Sequence, residues 1–157
     1  MFEKIVVPLD GSRLSEITLS YVEKILSRMA PEVQVEAILI LVNTRPSRFV
    51  VVGGEFTLAH YSESEIALAE KQSQEYLNNV GDRLRTMGAK VTIKVPVGDA
   101  CEEIIKAAEE SNADLIVMSS HGRSGISRWA FGSVTDKVLR HEGTVPVLMV
   151  KATQSDK

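Results

Sequence analysis

The chain has a single cysteine, Cys101, which excludes an intramolecular disulfide and a thiolate-ligated metal cluster. Long apolar runs are missing too. None approaches the ~20 residues that a membrane-spanning helix needs. The first residues, Met1-Phe2-Glu3-Lys4, lead into a strand pattern rather than a secretion signal. The expected compartment is the cytoplasm, with no membrane partner. Basic residues are not in excess: 18 Lys and Arg stand against 21 Asp and Glu, a net charge of −3. That argues against a general nucleic-acid binder. His60, His121 and His141 lack metal-ligand spacing, so no metal site is expected. Several motifs are absent as well. Without Gly-x4-Gly-Lys-Ser/Thr the chain is not a P-loop ATPase, and without Gly-x-Gly-x-x-Gly it has no dinucleotide fingerprint. Without Gly-x-Ser-x-Gly, His121 beside Ser119 and Ser120 does not make a nucleophile and base.

What is present is ordinary for a globular domain: 157 residues, 44% hydrophobic and 25% charged. A chain of this length buries about 70% of its unfolded surface and needs no disulfide or metal to fold. One domain over residues 1–151 is expected, with a flexible polar tail at 152–157. Strands and helices alternate. Ile5 to Leu9 reads as a strand, followed by a helix with Ile17, Val22, Ile25, Leu26 and Met29 on one face and Pro31 closing it. Val35 to Val42 is the second strand. Asn43 to Tyr61 is expected to be a long loop, a candidate lid or partner-contact segment. A long helix over 62–87 carries Ala69, Tyr76, Leu77, Val80, Leu84 and Met87 on its buried stripe. Lys90 to Val95 alternates strictly. Asp99 caps a helix through Glu110, on which Cys101 reads as a small apolar residue beside Ile104 and Ile105. Asp114 to Met118, a helix over Gly132 to His141 and the strand Pro146 to Val150 complete the pattern.

Alternating strands and helices predict a parallel sheet with helices on both faces. The third strand alternates and so belongs at an edge. The fifth begins with proline and is also expected at an edge. A bare apolar edge invites pairing, so Pro146 to Val150 is expected to pair with its copy in a homodimer.

Two strand ends carry polar, glycine-containing loops. One is Asp10-Gly11-Ser12. The other begins Ser119-Ser120-His121-Gly122 and reaches Gly132-Ser133 at a helix start. Glycines let a backbone approach an anion, and the N–H groups of a first helical turn point at it. If the first and fourth strands are neighbours, the two loops converge on one crevice at the carboxyl ends of the strands. Asp10 is then placed for a ribose hydroxyl or a metal, Gly122 and the helix start for phosphates, and Arg123 and Arg128 for added charge. Alone, Asp10-Gly11-Ser12 reads equally well as a turn and helix cap. Trp129 and Phe131 read as anchors that hold the second loop to the body.

These pieces resemble a single-domain universal stress protein over Phe2 to Lys151. The resemblance rests on Lys4 to Ser12, on Ala113 to Gly125, on Phe131-Gly132-Ser133-Val134-Thr135 and on Val145 to Val150, in that order. It implies a doubly wound α/β fold, Rossmann-like and adenine nucleotide alpha hydrolase-like. The sheet would have five parallel strands in the order 3-2-1-4-5, with a dimer through the last strand. The ATP-binding branch carries Gly-x2-Gly-x9-Gly-Ser/Thr. Gly122, Gly132 and Ser133 match it, and Ser119 stands where the first glycine would be. By this resemblance Pro8, Leu9 and Asp10 flank adenine and ribose, and Val42 offers its backbone to the adenine edge. Met118 and Ser119 lie along ribose and phosphates. Gly122, Gly132, Ser133, Val134 and Thr135 bind the triphosphate, with Arg123 beside them. The implied ligand is ATP, alone or with Mg2+. Signatures of adenylating relatives, Ser-Gly-Gly-x-Asp-Ser and His-x-Gly-His, do not occur. The expectation is a nucleotide-binding stress-response sensor or adaptor with a protein partner still to be found, not an enzyme. An empty scaffold of the same fold and a slow ATPase are the alternatives.

Overall fold

The computed structural model describes residues 2–30, 32–44, 47–52, 55–120 and 131–151, with backbone only for 47–52 and 55–60. In chain order the elements are β1 (Lys4–Pro8), α1 (Arg13–Leu26), β2 (Glu36–Ile40), β3 (Ser47–Val52) and β4 (Glu55–His60). Then follow α2 (Glu63–Thr86), β5 (Lys90–Lys94), α3 (Ala100–Glu110), β6 (Leu115–Ser119), α4 (Ser133–Arg140) and β7 (Val147–Val150). The main sheet has five strands in the order β5-β2-β1-β6-β7, and every pairing in it is parallel. This is the expected 3-2-1-4-5 order. The alternating strand β5 and the last strand β7 form its two edges.

The apolar strands serve both faces at once, because successive side chains point to opposite sides of a sheet. Ile5, Val7, Leu39, Leu115 and Val117 pack with Leu19 and Val22 of α1 and with Leu77 and Leu84 of α2. Their neighbours Val6, Ile38, Ile40, Ile116 and Met118 pack with Ile104, Ala107 and Ala108 of α3 and with Val138 of α4. Cys101 belongs to this second cluster. Burial is the main cause that pushes its thiol pKa up, so it behaves as a small core residue.

Caps set the helix starts. Ser12 accepts from Ser15 N–H on α1. Ser62 and Glu65 form a reciprocal capping box on α2, and Asp99 accepts from the N–H groups of Cys101 and Glu102 on α3. Such caps contribute ~1 kcal/mol each.

Two expectations need correction. The segment Asn43 to Tyr61 is not a plain loop: β3 and β4 pair antiparallel from Ser47↔His60 to Val52↔Glu55. Two strand-forming runs separated by Gly53-Gly54 are a hairpin signal that outweighs the segment's length. The buried stripe of α2 is Ser73, Leu77, Gly81 and Leu84, with Tyr76 and Val80 packed at its margin. Ala69 is exposed, and Met87 is 43% exposed. The first turns of α2 border an open groove beside the chain that follows β2, and Met87 falls at the C-cap. Gly81 marks the closest approach: a Cβ there would meet Val91 Cγ1 at 3.0 Å and Leu39 Cδ1 at 3.1 Å. No helix among the described residues is long and apolar enough to cross a membrane.

One carboxylate joins the starts of β1 and β6. Asp114 Oδ2 accepts from the N–H groups of Glu3 and Lys4, both at 2.9 Å. The Lys4 and Glu3 amides hold its pKa below the usual 3.8 of aspartate. A lowered carboxyl stabilises the fold fully above its unfolded pKa and loses that effect as pH falls through the folded one. Asp114→Asn is therefore expected to melt lower than the wild type at neutral pH, with the gap narrowing as pH falls below the ordinary aspartate range. Melting curves of both proteins across pH check this.

Candidate functional site

The strand order reverses at β1 and β6. Their chains leave the sheet there toward α1 on one face and α4 on the other, which opens a crevice at the carboxyl ends of the strands. Pro8, Leu9, Asp10, Val42, Met118, Ser119, Gly132, Ser133, Val134 and Thr135 all line one crevice of about 290 Å³. Gly122 and Arg123 lie in 121–130, outside the described residues, as do Arg128 and Trp129. Phe131 is 46% exposed, so it does not serve as the expected anchor.

The β1 side is built by a tight turn. Leu9 N–H donates to Ile40 C=O at 2.9 Å, the last tie of that chain to β2. Gly11 then takes φ 79°, the left-handed region that glycine enters without a Cβ penalty. This folds Ser12 back onto Asp10. Ser12 N–H and Oγ–H both donate to Asp10 Oδ1, at 2.9 and 2.5 Å. Asp10 N–H donates to Ser15 Oγ at 3.3 Å.

Val42 sits on the adjoining wall. Leu41 N–H donates to Lys94 C=O at 3.1 Å, and Asn43 N–H donates to Pro96 C=O at 2.9 Å. Both therefore point to the β5 side. Alternation turns the Val42 N–H and C=O toward β1, which has already ended. Neither makes a main-chain hydrogen bond among the described residues.

The opposite wall is the start of α4. Thr135 Oγ1 donates to Ser119 C=O at 2.9 Å, and Gly132 N–H donates to Ser120 C=O at 2.8 Å. These two bonds seat the helix start over the end of β6. Its N-cap is Gly132, with no side-chain cap, unlike the three other helices among the described residues. The N–H groups of Ser133, Val134 and Thr135 thus begin a helix whose positive dipole end faces the crevice.

Four lining residues escaped the sequence reading: Ser15, Ile40, Ala100 and Ile104. Ser15 carried a local signal, three residues past a cap. The other three read as ordinary core or helix-start positions, and only the packing of α3 against the strand ends brings them here. Asp10 is the only ionisable side chain among the described residues that line the crevice. No group of three or more His, Cys, Asp or Glu gathers as a metal site among the described residues. A larger groove of about 670 Å³ adjoins the crevice and shares Asp10 and Val42 with it. Thr44 and Tyr61, at the two roots of the β3–β4 hairpin, line that groove.

The model of the universal stress protein family matches residues 1–151. The chain belongs to the universal stress protein family. Among curated members, universal stress protein MJ0577 of Methanocaldococcus jannaschii is 32% identical over 99% of this chain and 98% of its own. MJ0531 of the same organism is 31% identical over 99% and 86%. The solved structure of MJ0577 superposes with a TM-score of 0.73 at 29% identity, covering 98% of this chain and 99% of that one. A universal stress protein solved in complex with cAMP superposes with a TM-score of 0.63 at 22% identity, over 97% and 98%. At that identity the likeness is one of fold.

In this universal stress protein the turn at Gly11 sets where Asp10 points. A side chain at φ 79° costs about 1–2 kcal/mol. Gly11→Ala is expected to lower unfolding stability by that amount, seen as a lower urea midpoint at unchanged slope.

Proposed function

We propose that this universal stress protein binds ATP in the crevice and acts as a stress-response sensor or adaptor rather than a catalyst. One observation carries the reading: a carboxylate, a main-chain donor–acceptor pair with no partner among the described residues and a helix N-terminus with no side-chain cap among them face one crevice from three sides. Each suits a different part of an adenine nucleotide. Val42 N–H suits N1 of adenine, and its C=O suits the N6 amino group. Guanine presents the reverse, a donor at N1 and an acceptor at O6, so the pair selects against it. Asp10 accepts from ribose hydroxyls, with Pro8 and Leu9 against base and sugar. Met118 and Ser119 run along ribose and phosphates. The phosphates lie at Gly132, Ser133, Val134 and Thr135, where N–H groups and helix dipole favour an anion, with Gly122 and Arg123 assigned beside them. Mg2+ would arrive with the phosphates, since it takes few protein ligands in such sites and the described wall offers one carboxylate. With one ionisable group on that wall, binding is better supported than acid–base catalysis.

The hairpin roots border the groove next to the crevice, so the hairpin is the surface assigned to report occupancy. Thermal melting tests the binding. ATP at about 100 times its Kd adds about 2.7 kcal/mol, on the order of 5–10 °C in Tm for a domain of this size. GTP is expected to give no such shift, and Asp10→Ala to lose most of it. No shift with ATP would leave an empty scaffold as the reading, and steady phosphate release would make it an ATPase. Proteolysis within 45–60 should slow with ATP bound; cleavage indifferent to ATP would sink the sensor role.

We also propose that the protein is a homodimer through β7. Ile116 N–H donates to Pro146 C=O, and Ser120 N–H donates to Val150 C=O, both at 2.9 Å. Even-numbered residues of this strand therefore face β6, and the N–H and C=O groups of Val147 and Met149 point outward at an edge that no described strand covers. Leu148 and Leu139 are 38% and 39% exposed nearby. Such an edge is a template for another strand. Light scattering is expected to give twice the 17.2 kDa chain mass. Met149→Pro removes an outward N–H without touching the β6 ladder, and the chain mass itself is expected for that variant.

A further inference from the structure

We infer that Ser12 is a positioning residue that aims the Asp10 carboxylate into the crevice, and so sets the preference for a ligand bearing ribose hydroxyls. The inference rests on the nucleotide reading above and deepens it. A cap residue needs only an acceptor: Ser12 Oγ accepts from Ser15 N–H at 3.1 Å. Ser12 also spends its one proton, donating Oγ–H to Asp10 Oδ1 at 2.5 Å, while its N–H donates to the same oxygen at 2.9 Å. Two donors from one residue on one carboxylate oxygen restrain the side chain of Asp10, and the hydroxyl bond is charge-assisted and short. The main chain is held in the same way. Ser15 Oγ accepts from Asp10 N–H at 3.3 Å and donates to Ser12 C=O at 2.9 Å.

Aim matters at this position. Asp10 stands on the wall common to the crevice and the larger groove. Loss of the Ser12 hydroxyl removes the shorter of its two bonds to Asp10 Oδ1 and weakens the bias of the carboxylate toward one of these spaces. Held, it is ready for a sugar hydroxyl before the ligand arrives, which removes an ordering cost from binding.

The test is calorimetric titration of ATP and of 2′,3′-dideoxy-ATP, which lacks both ribose hydroxyls. The wild type is expected to prefer ATP. Ser12→Gly keeps a competent helix cap but has no hydroxyl. It should weaken ATP about three- to tenfold and leave the dideoxy analogue within about twofold, so that the preference shrinks. Ser12→Thr restores the hydroxyl and should restore the preference. Equal weakening of both ligands by Ser12→Gly would mark Ser12 as a structural cap only and overturn the inference. So would an unchanged preference, or a wild type that binds both ligands equally. A wild type that binds no ATP at all would overturn the nucleotide reading itself.

Discussion

Strand β1 is buried on both faces and paired on both edges, and the rest of the molecule is arranged around that constraint. Ile5, Val6 and Val7 have no exposed surface. Ile5 and Val7 belong to one core and Val6 to the other, so this one strand anchors both helical layers. Parallel neighbours need crossover helices, and burial on two faces needs those helices on both sides. With β2 on one edge and β6 on the other, the chain must leave in opposite directions at the carboxyl end. The crevice is the gap left by that divergence.

The helix ends then give the gap its chemistry. Ser12, Ser62 and Asp99 cap their own helices from within. The start of α4 is instead held from behind, by bonds from Thr135 and Gly132 to the carbonyls at the end of β6. Its first-turn donors stay directed at the crevice. Asp10 faces them from a turn that a left-handed glycine favours, and Val42 faces them because the chain after β1 turns away beside it.

Much of this was legible in the residues. Continuous apolar strands, alternation at β5 and proline before β7 pointed to a parallel sheet with those two strands at its edges. The residues expected at the site came from motif likeness, and those in described segments line one crevice. The hairpin was missed because segment length was weighed above the Gly53-Gly54 signal. Met87 and Ala69 were placed inside because a period of 3.6 says which face of a helix is apolar but not which of its turns has a neighbour to cover it. Phe131 was taken as an anchor because it is large and apolar, and size alone does not say whether a neighbour exists to cover it.

The sequence by itself determined what depends on neighbours along the chain. That covers strand and helix alternation, the serine and aspartate caps, the glycine turn after Asp10 and the apolar residues that require burial. Tertiary structure decided what depends on distance through space. Ser15, Ile40, Ala100 and Ile104 join the crevice only through packing across the sheet. Val42 makes no main-chain hydrogen bond among the described residues because the chain past β2 stays tied to the β5 side through Leu41 and Asn43, while the chain past β1 turns away at Gly11. Side-chain chemistry and local propensity are written residue by residue. An unmade backbone hydrogen bond is not, since it exists only where a folded neighbour turns away.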